Sequence, residues 1–349
     1  MGEVDRDNAG AARAAAWSSF LDDATIAHNE QTADAVDRFQ CAFARRGDGR
    51  VRRAFHVKSH LALAASFTIA DDVPEHARIG LFARARAYPA LVRITNGFSN
   101  TKPDWFPDLL GMAVRITGLE DASLPGEAEP VAQDLLTLNQ SYLPVDDGDQ
   151  LRIISLATAN LLTAPFKVPA ALGLAKTAEL VPWLLGWALR RVMLRSAVTE
   201  TYHALVPISI GPQPIKFMWV PRQQLRRGPL SDLFRRNHLR DDARQRLSGG
   251  PILFDFFAQF HVDDARTPVD GAYAWPIDVS PPVRLGTLAI EPCDLDGEAA
   301  RRQENEIEQL AFNPWRGLRA HQPVGNIQRM RGLVYQRSAK LRGSGNHPA

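Results

Sequence analysis

Apolar residues first recur at helical spacing at Ile26, Ala33, Val36, Phe39 and Phe43, within DDATIAHNEQTADAVDRFQCAFARR over residues 22–46. Acidic residues stand early in that segment and arginines late, the order favoured by the helix dipole, so the pattern predicts a leading helix. Residues 1–20, Ala-rich and polar, read as a loose arm before it. From 54 to 69 and again from 90 to 116 the pattern becomes that of strands, with runs such as ALVRIT and GMAVRIT between clusters of Asn, Gly, Ser, Pro and Asp. Further strands are expected at LVPISIG, PIKFMWV, PILFDFFAQFHV and VRLGTLAIE. The connections vary too much for regular parallel strand–helix alternation. The expected fold is therefore α+β, an antiparallel sheet or closed β-barrel with helices packed around it.

Residues 151–198 break the strand pattern. They are rich in Leu and Ala and interrupted by Pro165, Pro169 and Pro182, which predicts a set of short helices inserted between strands. The uncharged stretch around Trp183 and Trp187 is interrupted by Lys176, Glu179 and Arg190 and reads as too short to span a bilayer. A final helix is expected over 325–342, GNIQRMRGLVYQRSAKLR, before a polar tail. No internal repeat is present. The organisation that follows is an arm and helix over 1–40, one domain over 41–345 carrying the 151–198 insertion, and a tail over 346–349.

Composition narrows the class. Of 349 residues, 45% are hydrophobic and 23% charged, close to the averages of folded globular proteins, which argues against disorder and against a polytopic membrane protein. The formal net charge of +2 hides a local excess of arginine over aspartate in 222–247. That segment has no interleaved aromatics and no nucleic-acid reading motif, so no nucleic-acid partner is expected. Cys41 and Cys293, far apart, offer neither a disulfide framework nor a thiolate metal site. The opening MGEVDRDNAG lacks a basic region followed by an apolar one, and Gly2 is not followed by the Ser or Thr of a myristoylation site, so a cytoplasmic protein is expected.

Four clusters could carry chemistry. Arg331 and Tyr335 stand four apart on the last expected helix, where a guanidinium could lie against a phenol oxygen. A tyrosine titrates near pH 10 and serves as an anionic ligand only when a metal and a nearby cation stabilise the phenolate. Arg342, about two turns on, could meet an anionic group such as a haem propionate. Alone, the same spacing equally describes a surface arginine beside a half-buried tyrosine. RRAFHVKSH places Arg53 three residues before His56, on opposite faces of a strand unless a bend intervenes; a charged edge strand fits as well, and His60 reads as structural or exposed. In YPALVRITNGFSN, Arg93 and Thr95 share one strand face, and an arginine pointing into a barrel needs an anion. QDLLTLNQ ends in Asn139, either an amide aimed at the interior or a turn residue.

In this order the clusters resemble the haem catalase family. Arg53, His56 and Lys58 resemble its R-x-x-H-x-K; VRIT resembles its V-R-F-S, LGMAVRI its R-G-F-A-V-K-F, and DLLTLN its D-L-V-G-N-N. Later, WPIDVSPPVRLGTLAIE and EQLAFNPW follow further family patterns, and Arg331, Tyr335 and Arg342 match the proximal R-x-x-x-Y with its propionate arginine. The likeness covers roughly residues 40–345 apart from 151–198. It implies a catalase-type barrel holding haem b, with Tyr335 as the iron ligand and Arg53, Arg93, Arg331, Phe55 and Arg342 around the cofactor. It further implies His56 as the distal acid–base, Thr95 holding its ring, Asn139 orienting the peroxide to within one residue of register, and a homo-oligomer, a dimer.

Departures from the family sharpen the expectation. Phe55 stands where a small valine is common, Met218 replaces a histidine of the proximal arginine network, and the chain lacks the usual C-terminal extension. These features resemble the minimal catalase-related peroxidases and the catalase-like enzymes that act on fatty-acid hydroperoxides. With the apolar 151–198 insertion they favour organic or fatty-acyl hydroperoxides over hydrogen peroxide. Rearrangement of a lipid hydroperoxide, of allene oxide synthase or hydroperoxide lyase type, and a non-enzymatic haem or lipid carrier are the alternatives. Trp183, Trp187, Arg190, Arg191 and Arg195 also form an apolar-plus-basic arrangement that could meet a membrane surface through 172–195, or simply pack on the barrel.

Overall fold

The computed structural model describes residues 23–46, 49–98, 101–106, 108–120, 131–158, 163–192, 194–224 and 230–343; the arm over 1–20 and the tail over 346–349 lie outside them. Nine strands form one sheet: β1 Ser59–Ile69, β2 Ala87–Asn96, β3 Leu110–Ile116, β4 Gln133–Leu138, β5 Tyr202–His203, β6 Ile208–Ile210, β7 Gln213–Pro221, β8 Ile252–Phe260 and β9 Val283–Ile290. All pair antiparallel in the order β5-β4-β3-β2-β1-β9-β8-β7, and β7 returns to β5 through Tyr202↔Trp219 and His203↔Met218. The eight strands thus close into a barrel, while β6 pairs with another stretch of β7. Closure leaves no open edge along the ring.

Alternation decides what fills it. Leu61, Leu63 and Phe67 of β1, Val92 and Ile94 of β2, Val114 and Ile116 of β3, Phe217 and Trp219 of β7, and Phe254 and Phe256 of β8 form one buried cluster. The Phe256 ring lies 4.8 Å from Trp219, 5.7 Å from Phe67 and 5.4 Å from both Phe82 and Phe217, centroid to centroid. Side chains alone fill a barrel of this size. The intervening residues on β1 to β4 point outward. Ala62, Leu91, Ala113 and Leu136 meet Ile307 and Phe312 there. This corrects the inward direction expected for Arg93, which lies on that outer face.

Among the described residues six α-helices surround the barrel: α1 Asp23–Arg46, α2 Gly148–Thr158, α3 Ala164–Val192, α4 His238–Leu247, α5 Glu298–Gln309 and α6 Asn326–Leu341. The expected leading helix runs unbroken over Asp23–Arg46. The first strand-like segment starts later than its sequence pattern, at Ser59 rather than 54. The insertion is less fragmented than its prolines suggest. Pro169 and Pro182 lie inside α3, and the one break is Gly173, with φ +80° and ψ 167°. Across that kink, 164–190, charged residues included, is long and apolar enough by length and composition to cross a membrane, although its uncharged stretch around Trp183 and Trp187 is short.

On the outer face, Arg115 of β3 and Asp134 of β4 stand opposite each other and form a buried two-pronged ion pair at 2.7 Å for each contact. Arg115 also donates to the Ala311 carbonyl at 2.6 Å, and Asp134 accepts from the Asn313 N–H at 2.8 Å. The segment after α5 is thereby fastened to the barrel.

Truncating the ring at the centre of the core tests this packing. Phe256→Ala should lower unfolding free energy by about 3–5 kcal/mol, the usual cost of emptying a buried aromatic site. Denaturant titration should show Leu253→Ala, on the other face of the same strand, costing clearly less.

Candidate active site

Under α1, α2, α3 and α6, against the outer face of β2 to β4, lies a cavity of about 710 Å³. Its walls are largely apolar: Leu136 and Leu138 from β4, Leu151 and Ile154 from α2, Leu180, Trp183 and Trp187 from α3, Met330 and Val334 from α6. The volume is that of a small-molecule or cofactor site. Polar groups enter at a few points only.

His56 is the first. Among the described residues it alone is a non-glycine with positive φ, at +60°. That left-handed turn breaks the strand alternation that would have put Arg53 and His56 on opposite sides, and both border the cavity. Three contacts hold the strained residue. Its N–H donates to the Gly97 carbonyl at 3.0 Å, its own carbonyl accepts from the Arg93 guanidinium at 2.8 Å, and Nδ1 lies 3.0 Å from Thr95 Oγ1. The ring rests on Gly111 of β3, where a Cβ would come within 2.4 Å of His56 Cε1. Burial, then the positive charges of Arg93, Arg331 and Arg53, push the imidazole down to about 3. At neutral pH it is an uncharged base.

Beside it stands a cluster of cations around one carboxylate. Arg93 Nε and Nη2 bind Glu308 of α5 at 2.6 and 3.0 Å, and Arg53 Nη1 binds the same carboxylate at 2.9 Å. Arg53 also donates to the Glu308 and Leu310 carbonyls at 2.8 and 2.7 Å. Arg342, directly after α6, borders the cavity too, and its Nε is buried without a hydrogen-bond partner. Burial and the Arg93 charge bring its guanidinium down to about 10, and burial with the neighbouring arginines depresses Arg53. Arg53 and Arg93 share one carboxylate, and Arg342 adds a third guanidinium beside them. The arrangement has room for further negative charge.

Tyr335 borders the same cavity from α6, and among the described residues its phenol oxygen makes no hydrogen bond. Arg331 lies one turn earlier with its guanidinium 5.6 Å from the Tyr335 ring centroid, over the ring rather than on the oxygen, and donates to Gln328 at 3.2 Å. Phe55 lines the cavity while stacking on Phe39 of α1 at 5.9 Å and 14°.

Asn139 departs from expectation. Its Oδ1 accepts from the Leu110 N–H at 2.9 Å and its Nδ2 donates to Glu200 at 3.1 Å, so the amide is consumed at the strand end and does not border the main cavity. Thr137 and Leu138 border it instead. Met218 pairs across β5–β7 with His203, whose ring burial, followed by the charges of Arg190 and Lys216, pushes down to about 4. Sequence reasoning missed Glu308 and Gly111 as site residues. Both sit inside motifs it noted, EQLAFNPW and LGMAVRI, but nothing local in either motif announces its role.

Neither a protein-family model nor a curated protein sequence matches the chain. Solved structures do. A bacterial catalase superposes with a TM-score of 0.65 at 16% identity, over 83% of this chain and 57% of its own. A fungal catalase gives 0.68 at 14% identity, over 87% and 62%, and catalase A from Saccharomyces cerevisiae 0.66 at 12%, over 83% and 61%. The fold is thus that of the catalase core, an antiparallel barrel with helices around it, in a chain that spans about three fifths of the length of those catalases.

The two depressed histidines make stability depend on acidity with a definite sign. An unfolded imidazole takes a proton near pH 6.5 while folded His56 and His203 stay neutral until about 3 and about 4. Their contribution is therefore complete above about pH 6.5 and is lost as pH falls toward those values, because the unfolded chain binds more protons. Unfolding free energy measured against pH should fall below about pH 6.5, and His56→Gln should flatten that fall. An unchanged slope in the variant would show that His56 protonates freely in the folded protein.

Proposed function

We propose that this chain is a haem-dependent enzyme that cleaves hydroperoxides, with organic or fatty-acyl hydroperoxides preferred over hydrogen peroxide. The observation that carries the reading is the company kept in one cavity: a neutral, half-buried His56, a tyrosine whose oxygen has no hydrogen-bond partner among the described residues, and an arginine cluster that outnumbers its carboxylate. The residues fit haem b. Arg53, Arg93 and Arg342 outnumber Glu308, and the orphaned Arg342 Nε matches what a carboxylate such as a propionate would satisfy. Tyr335 would hold the iron through its phenol oxygen, a ligand type known for haem proteins, with the Arg331 charge favouring the phenolate. Phe55 would pack beside the macrocycle. Bound haem supplies the iron whose redox chemistry makes O–O cleavage accessible.

The rest falls to the side chains. His56, uncharged at neutral pH, accepts the proton of the hydroperoxide's terminal oxygen and delivers it to the oxygen that leaves. Thr95, 3.0 Å from Nδ1, keeps the ring in place for both transfers. With Asn139 committed elsewhere, no amide from that position orients a small peroxide, and binding rests more heavily on the substrate's tail. Each methylene buried against the Leu, Ile and Trp walls contributes about 0.8 kcal/mol, which hydrogen peroxide cannot gain. The same apolar walls support a second reading, rearrangement of a fatty-acid hydroperoxide, which differs in product and not in binding.

Spectra and turnover test the proposal. Tyr335→Phe should lose most bound haem or change its axial spectrum; wild-type haem content and spectrum in that variant would remove Tyr335 as ligand. His56→Ala should keep haem and lose about two to four orders of magnitude in kcat/KM. Comparing hydrogen peroxide, cumene hydroperoxide and a fatty-acid hydroperoxide, with product analysis, should rank the apolar substrates first. Vigorous oxygen evolution without that gain would overturn the preference, and haem without turnover would leave a carrier.

A further inference from the structure

We infer that the outer face of α3 docks on an anionic lipid surface, with the helix lying in the plane of the membrane interface. Beyond the Gly173 kink, Leu174, Val181, Leu185 and Leu189 follow one another at helical spacing and are 80%, 45%, 61% and 71% exposed, Val181 and Leu185 also bordering the cavity. Before the kink, Phe166 is 76% exposed. The opposite side of the same helix is used: Leu180 and Trp187 are buried, Trp183 stacks on Trp187 at 6.2 Å, and Trp187 meets Phe98 at 6.1 Å. A helix apolar on all sides is ordinarily covered on all sides, and this one is covered on half.

Charge identifies what covers the other half. Residues 164–196 carry Lys167, Lys176, Arg190, Arg191 and Arg195 against the single acid Glu179, which pairs with Lys176 at 3.2 Å. Lys167 is exposed at one end of the helix and Arg190 at the other, flanking the apolar stripe. Apolar side chains bracketed by basic ones are the chemistry of an interfacial helix on anionic lipid. A second copy fits less well. The stripe is about 24 Å long and about 10 Å wide, well short of the roughly 800 Å² per partner of a stable dimer, and two-fold pairing would bring its positive charges together. Spanning is disfavoured as well, because Lys176 pairs with Asp146 at 3.1 Å and Arg190 with Glu200 at 3.3 Å, which ties the middle and the C-terminal end of the 164–190 segment to the protein body.

Vesicle sedimentation of the full chain tests this directly, with phosphatidylcholine alone or mixed with phosphatidylglycerol. The chain should partition onto the mixed vesicles at low salt, weakly onto the neutral ones, and detach as salt rises. Leu174→Glu/Leu189→Glu changes two exposed residues that do not line the cavity. It should reduce partitioning about tenfold or more while leaving the melting temperature unchanged, and Phe166→Ser provides an independent smaller loss. No partitioning of the wild type, or equal partitioning of wild type and double variant, overturns the assignment. So does a wild-type dimer in solution that the double substitution splits, since the face then belongs to a second copy. None of these measurements requires haem.

Discussion

Eight strands close into a cylinder only just wide enough for the side chains they point inward, and this constraint decides where polar chemistry can sit. Phe67, Phe254, Phe256 and Trp219 take the interior. The arginines of β2 and β3 are left on the outside, where helices must cover them. Arg115 answers this with its ion pair to Asp134 and its bond to the Ala311 carbonyl, which fastens the segment following α5. Three residues before Ala311 lies Glu308, so the same fastening delivers the carboxylate that Arg53 and Arg93 share. Barrel, helix and cation cluster form one mechanical chain.

The cation cluster and the base are coupled. Arg93 binds Glu308 through its Nε and supports the His56 carbonyl through Nη2, while its charge helps keep the imidazole neutral. A strained left-handed residue next to a buried positive field would not persist without such bracing. The strain, the bonds to Gly97 and Arg93, and the bare surface of Gly111 together give the ring a single seat.

The sequence made the strands readable because β-branched and aromatic residues alternate between turn-forming clusters, and made α1 readable through its 3.6-residue period. Closure itself was not legible. β2 is buried on both faces over most of its length, so its alternation could not say which face met the barrel interior, and Arg93 was assigned the wrong side. Tyr335 and Arg331 on one helix, with Arg342 directly after it, were visible as a set because they are close in sequence. Glu308 was not, since its partners stand 215 and 255 residues away in sequence. Asn139 was read either as an amide aimed at the interior or as a turn residue, and its bond to Glu200, a partner no local pattern announces, lay beyond that reading. Gly173, and not the prolines, interrupts α3, because proline is tolerated in a helix supported by neighbours whereas a residue at φ +80° is not helical at all.

Two of the contacts that hold α3 differ in kind from those that hold the barrel. Lys176–Asp146 and Arg190–Glu200 each include at least one partner substantially open to water, whereas the barrel rests on apolar burial and on the enclosed Arg115–Asp134 pair. Water-exposed ion pairs are attenuated by dissolved ions, and buried contacts are not. α3 is thus held in two ways, by the burial of Leu180 and Trp187 and by ion pairs open to water, and only the second contribution answers to ionic strength.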